Sequence, residues 1–429
     1  MATTDWLTGI YLTTDEVLKY PDYVERLRDE IGLNTVVMDF SGELPKHVLA
    51  KSPYGGRVPT DEELGELVLR HFDGRPVDPR EYARAQALCG PGVSATGNDE
   101  TFRQAVGQLK DAGLTVWTYG GAWTIRRLMF CPSRVDVREW IEAICVHWAT
   151  QYGLDALDIT HFRYPMGSFP LGLFGCTCSS CNAAAGEMGY DMDAMVADLK
   201  SAREGLQNLD GKRLSEVLKL GIGFFDVIHA LGLRSGVLDW VRFRCDLVVR
   251  NMSQFKAAVR QATPDTAFGT DTYPASMALT AGHDYLRWGE MADFASPLVS
   301  HISAFVCNTF IEWAQFLQEE IPDLTEEDAL QLVYRFLGYD GMGLPETVEA
   351  YGADEPATLA YRIPTADLVL RDLVKAKLYL PEDMPSYPII HGEGWGRDTI
   401  DRIVSESRRL GHNGIVWQGT SELMDYEFK

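Results

Sequence analysis

The sequence predicts an α/β protein, a (β/α)8 TIM barrel with long rim insertions after strands 2, 4 and 6. Three observations carry that prediction. Eight short β-type runs are spread along the 429 residues, helical periodicity follows most of them, and polar or aromatic residues gather at the runs' C-terminal ends. A doubly wound open sheet is the competing arrangement for the same alternation.

The elements follow in order. Gly9-Ile-Tyr-Leu-Thr13 is the first strand, and a helix over Tyr23–Ile31 leads through Gly32 to the second, Asn34-Thr-Val-Val-Met-Asp39. Residues 41–100 are Gly/Pro-rich and form the first insertion. The helix Thr101–Ala112 returns through Gly113 to Leu114-Thr-Val-Trp-Thr-Tyr119, and Val135–Tyr152 returns through Gly153 to Leu154-Asp-Ala-Leu-Asp-Ile-Thr160. Glycine suits these returns because a helix C-terminus favours a left-handed residue. Residues 166–237 form the second insertion and include a helix over Met192–Asn208. Leu238–Ala262 then leads to Thr266-Ala-Phe-Gly-Thr-Asp271, followed by Asp293-Phe-Ala-Ser-Pro-Leu-Val299. The third insertion, 302–386, is largely helical, with Leu324-Thr-Glu-Glu-Asp as a helix start. Tyr387-Pro-Ile-Ile-His-Gly-Glu393, a helix over Thr399–Leu410 and Gly414-Ile-Val-Trp-Gln418 complete a single domain over 1–429. There is no internal repeat and no low-complexity segment.

Composition sets the class: 46% hydrophobic and 24% charged residues are those of a globular chain. A formal net charge of −23 argues against a nucleic-acid partner or an anionic membrane surface, since both would repel it. The apolar stretch Leu220–Leu233 contains Asp226 and His229 and is shorter than the roughly 20 residues a bilayer needs. Met1-Ala-Thr-Thr-Asp-Trp6 has neither the basic nor the apolar part of a signal peptide, so the expectation is a soluble, cytoplasmic protein. A homo-oligomer is left open.

Eight cysteines in such a chain read as thiols and metal ligands, not as a disulfide framework. Cys176-Thr-Cys178-Ser-Ser-Cys181 supplies three soft ligands at close spacing, and Cys131, in an upstream loop, is the fourth candidate. Four thiolates form a closed tetrahedral set, which points to a structural zinc ion, because a catalytic zinc keeps one position open. The plainer reading is small buried thiols, and Cys89, Cys145, Cys245 and Cys307 are assigned to it. No organic cofactor is expected. The chain contains no G-x-x-x-x-G-K-[ST] loop, no H-E-x-x-H and no G-x-S-x-G elbow.

The stretch Cys131-Pro, Val137-Arg-Glu-Trp140, Gly153-Leu-Asp-Ala-Leu-Asp158, Arg163-Tyr-Pro165 and Cys176-x-Cys178-x-x-Cys181 resembles the third-to-fourth strand region of glycoside hydrolase barrels. It is similar to family 42 β-galactosidases, which hold a structural zinc on four cysteines in this arrangement, and to uncharacterised family 10-like glycosyl hydrolases. Gly269-Thr-Asp271-Thr-Tyr-Pro, His283-Asp-Tyr and Ala292-Asp-Phe-Ala-Ser-Pro297 resemble strands five and six of that group. The resemblance covers about half the chain and implies a zinc-clamped barrel acting on carbohydrate. The chain departs from the pattern at strand four, where family 42 has an Asn-Glu pair and this sequence reads Asp158-Ile-Thr-His161.

Glycoside cleavage uses one ionised and one protonated carboxyl group, about 5 Å apart for retention and roughly 6.5–9.5 Å apart for inversion. Glu393 is the expected nucleophile or base. It follows an apolar strand, glycines flank it, and the resemblance places the nucleophile on strand seven. Asp158 is the expected proton donor, assisted by His161, with Asp271 as the alternative donor. The alternation Ala156/Asp158/Thr160 against Leu157/Ile159 turns Asp158 toward the barrel axis; an ion pair with Arg163 is its structural alternative. Asp39 and His391 are read as contacts to sugar hydroxyls, and Tyr119, Tyr273, Trp395 and Trp417, with Trp123, as stacking walls. Arg163 could bind a substrate carboxylate bidentately, which suggests an acidic sugar. The sequence thus predicts a glycoside hydrolase. A sugar-acid lyase or isomerase, or a silent carbohydrate-binding barrel, are the alternatives.

Overall fold

A computed structural model describes residues 6–53, 55, 60, 62–63, 98–121, 124–125, 128–164, 171–352, 363–391 and 395–419. The strands of the main sheet are β1 (Leu7–Leu12), β2 (Thr35–Asp39), β3 (Thr115–Gly121), β4 (Ala156–Thr160), β5 (Ala267–Thr272), β6 (Phe294–Pro297), β7 (Ile389–His391) and β8 (Gly414–Gln418). All eight expected strands are present. They lie parallel in the order β6-β5-β4-β3-β2-β1-β8-β7. The remaining gap is closed just before β7. Ala295 bridges Ser386 in parallel, donating its N–H to the Pro385 carbonyl at 2.9 Å and accepting from the Tyr387 N–H at 2.8 Å. Sequential order with closure makes this a barrel and excludes the open sheet.

The helices that matter below are α1 (Asp99–Asp111), α2 (Val135–Gln151), α3 (Met192–Gln207), α4 (Gly211–Leu220), α5 (Phe224–Leu231), α6 (Ser235–Ala262), α7 (Asn308–Glu320), α8 (Glu326–Leu337), α9 (Thr365–Tyr379) and α10 (Arg397–Leu410). Helix α1 starts where the Asn98 side chain accepts from the N–H groups of Glu100 and Thr101, satisfying two of the donors a helix start leaves open. Gly113 and Gly153, at φ +77° and +64°, make the left-handed returns expected into β3 and β4. Helices α3 to α5 occupy the β4–β5 connection and α7 to α9 the β6–β7 connection. No helix among the described residues is long and apolar enough to cross a membrane.

Strand alternation separates two cores. Val37, Trp117, Ala156, Phe294, Leu298, Ile389 and Val416 fill the barrel, with the Trp117 and Phe294 rings stacked at 4.5 Å. The residues between them, among them Val36, Val116, Leu157, Ile159, Ile390 and Ile415, pack outward against the helices. Gly269 lies inside this arrangement: a Cβ there would stand 1.9 Å from the Phe294 ring. Glycine on β5 is what lets that ring occupy the axis. The inner apolar layers therefore form a floor, above which the strand ends carry polar groups.

Candidate active site

Asp158 stands one alternation above Ala156 and is 1% exposed. Its Oδ2 accepts from the Tyr11 hydroxyl at 3.3 Å. Asp271, on the neighbouring strand, is 5% exposed, and its Oδ2 accepts from the Thr160 hydroxyl at 2.5 Å. Oδ1 of each aspartate is buried without a hydrogen-bond partner among the described residues. Two buried carboxyl groups this close cannot both ionise cheaply. Burial, then the charge of Asp271, pushes the Asp158 carboxyl up to about 8, although Tyr11 and Ser296 favour its ionised form. Burial pushes Asp271 up to about 6, opposed by the Arg163 guanidinium and the Thr160 hydroxyl. At neutral pH the pair thus holds one protonated and one ionised group.

Basic and aromatic groups surround this pair. Arg163 lies over the rings of Tyr273 and Phe305, 5.0 and 4.9 Å from their centroids. His161 has a left-handed backbone (φ +56°), and its Nδ1 is 3.0 Å from the Thr160 hydroxyl. Burial first, then Arg163 and His301, push His161 down to about 4. With that shift the ring is neutral at pH 7, and a neutral ring can assist the donor only through hydrogen bonds. His301 is likewise pushed down to about 4 by burial and then by His391, whose ring is 6.0 Å away. The His391 N–H donates to the Ser300 hydroxyl, which in turn donates to the Ile389 carbonyl, and so ties the β6–β7 closure to the mouth. Tyr119 meets Tyr11 edge-to-face at 5.0 Å, and burial and Asp39 push its hydroxyl up to about 12. Asp39 ends β2 and is exposed.

Two expected stacking residues lie elsewhere. Trp417 is buried among the outward-facing residues, because alternation on β8 turns Val416 and Gln418 inward instead. Trp395 packs half-buried against the same outer core. Glu393 and Trp123 lie outside the described residues. Sequence reading placed Gln418 at the rim without a role and did not single out Tyr11, Thr160, Ser296 or His301. Carrying the β4 alternation onto β1 and β6 would have found Tyr11 and Ser296. No local pattern marks His301, which lies on the connection after β6.

The four cysteines meet beside this mouth. Sγ of Cys131 is 3.6 Å from Cys178 and 3.4 Å from Cys181, which are 3.7 Å apart, and all four Sγ atoms, Cys176 included, lie within 4.8 Å of one another. Four thiolates about 2.3 Å from a shared ion would stand about 3.8 Å apart, so the cluster can hold a metal ion.

No known family profile and no curated protein matches this chain. Solved structures do. The glycoside hydrolase domain of PgaB (BpsB) from Bordetella bronchiseptica is 11% identical, with a TM-score of 0.48 over 98% of this chain and 96% of that one. The β-galactosidase of the haloarchaeon Halorubrum lacusprofundi is 13% identical, with a TM-score of 0.48 over 96% of this chain, which spans only 52% of the enzyme. The endo-1,4-β-D-mannanase of Thermotoga petrophila is 8% identical, with a TM-score of 0.38 over 96% of this chain and 88% of that one. The chain is similar to barrels of glycoside hydrolases.

Proposed function

We propose that this chain is a glycoside hydrolase whose proton donor is Asp158. The observation that supports this most directly is the buried Asp158/Asp271 pair, with environments that push the two carboxyl groups apart and leave one oxygen of each unpartnered. Such divergence is how a site holds an acid and a base at the same pH. Asp158 gives its proton to the leaving oxygen, Tyr11 orients it, and Asp271 keeps it protonated. Glu393, two residues beyond β7 in the sequence, takes the nucleophile or base role. Asp39, Tyr119 and His391 contact sugar hydroxyls, and His161 orients the substrate as a neutral ring.

Arg163 supports a finer reading, that the sugar carries a carboxylate. Arg163 is 7% exposed, and its guanidinium is held over two aromatic rings. A planar fork fixed in this way suits bidentate recognition of a carboxylate. The cysteine centre is read as a structural zinc site, closed by Cys131, Cys176, Cys178 and Cys181. When bound, the ion supplies a rigid cross-link between the loops after β3 and β4.

The test is turnover of fluorogenic aryl glycosides, neutral and acidic, by wild type, Asp158→Asn and Glu393→Gln. Hydrolysis of an acidic glycoside by wild type and its loss in both variants is expected. Unimpaired turnover by Asp158→Asn would overturn the assignment of the donor. Sugar-acid conversion without hydrolysis would move the protein to the lyase or isomerase class.

A further inference from the structure

The barrel closes along the β6–β7 edge, where the backbone ladder is short. The Ala295–Ser386 bridge supplies two hydrogen bonds, and the next parallel rung would take its donor from residue 297, two further along β6. That residue is Pro297, which has no N–H and ends the strand. The proline therefore removes the rung nearest the mouth.

Ser300 replaces it with a side chain. It is 6% exposed, and its hydroxyl donates to the Ile389 carbonyl at 2.9 Å and accepts from the His391 N–H at 2.6 Å. In a parallel sheet these are the two groups that a residue opposite Ile390 engages through its own N–H and C=O. A hydroxyl has one donor and two acceptor sites, so one serine can stand in for both. The other seven neighbouring strand pairs are held by backbone ladders, so loss of this hydroxyl loosens the β6–β7 edge alone.

The residues on either side of this link belong to the mouth. His391, the last residue of β7, is one of the expected sugar contacts. His301 directly follows Ser300, and its ring lies 5.3 Å from that of Phe305 and 6.0 Å from that of His391. Phe305 is in turn one of the two rings under the Arg163 guanidinium. Ser300 thus joins the wall that carries Arg163 to the end of β7. We propose that Ser300 is a positioning residue of the mouth: its hydroxyl fixes His391 against His301 and Phe305, so that contacts from β7 and from Arg163 reach one substrate together. This rests on the reading of the mouth as a glycoside site.

The experiment compares wild type, Ser300→Ala, Ser300→Thr and Ser386→Ala. The last is the control, because it removes a buried hydroxyl, 2.9 Å from His412 Nδ1, at the N-terminal end of the same edge. Thermal midpoints establish that each variant is folded. The readouts are amide hydrogen exchange over 389–391 and initial rates on the fluorogenic aryl glycoside that wild type turns over. In Ser300→Ala the His391 amide should exchange about tenfold faster or more. Its kcat should fall about tenfold or more, since a small misplacement of substrate contacts is costly in rate. Ser300→Thr keeps the hydroxyl and Ser386→Ala keeps the link, so both should stay close to wild type. Unchanged His391 exchange in Ser300→Ala would overturn the link, and unchanged kcat would overturn its positioning role. An equal fall of kcat in Ser386→Ala, or no recovery in Ser300→Thr, would also overturn it, by assigning the effect to packing of the barrel. Wild type that hydrolyses none of the glycosides would remove the hydrolase reading, and exchange at His391 would then decide the Ser300 link by itself.

Discussion

Replacing Asp158 by Asn should make the protein increasingly more stable than wild type as pH rises from about 4 to 8. The native carboxyl is pushed up to about 8, whereas an aspartate in the unfolded chain titrates near 3.9. Between those values the native state holds a proton that the unfolded state has released. Stability from this group is therefore complete below about pH 4 and is lost as pH rises through 8. The slope is about 1.4 kcal/mol per pH unit, so between pH 6 and 8 the wild type loses about 2.7 kcal/mol through this one residue, as an order of magnitude. Asparagine mimics the protonated acid, can still accept from Tyr11 and has no proton to lose. The assay is the difference in thermal midpoint between Asp158→Asn and wild type, measured at half-unit steps from pH 5 to 9. Titrating groups other than Asp271, the partner of Asp158, cancel in that difference. It should be smallest at pH 5, grow steadily in favour of the variant up to about pH 8, and level off above that. A difference that stays flat would mean Asp158 is ionised in the native protein, and would refute the acid assignment that rests on it.

Four further outcomes follow from the same geometry. The rate of hydrolysis by the free enzyme should have a descending limb near pH 8, from loss of the Asp158 proton; an activity still rising at pH 9 would contradict that donor. Gly269→Ala should destabilise the barrel by about 1–3 kcal/mol, because its Cβ would meet the Phe294 ring, and Phe294→Leu should recover part of that loss in a denaturant titration. Metal analysis should find one zinc per chain, and Cys181→Ser should lose it together with several degrees of thermal midpoint. Arg163→Met should raise KM for an acidic glycoside at least tenfold while leaving a neutral one little changed, as read from initial rates.

Most of the fold was legible because barrel strands and helices announce themselves by local pattern. All eight strands lie where short β-type runs stand, and Gly113 and Gly153 mark their helix ends by a backbone preference that acts on one residue at a time. The Ala156/Asp158/Thr160 alternation correctly turned Asp158 inward. Trp417 shows where such reasoning stops: an aromatic residue at a strand end reads as a stacking wall until the register of β8 shows which face it occupies. His301 was invisible for a different reason, since it lies on a connection whose path only packing decides.

By itself the sequence determined the strand and helix succession, the inward Asp158 on β4, and a C-x-C-x-x-C run with the chemistry to bind a metal. Those are properties of residue type and short-range periodicity. Tertiary structure alone decided that Asp158 and Asp271 share one buried space and that Tyr11 reaches across from β1, and it brought Cys131, expected as the fourth sulfur, to the cluster. It also decided that His161 stays neutral beside Arg163. Burial and charge–charge interactions depend on distances between residues far apart in the chain, and those distances exist only once the barrel has closed.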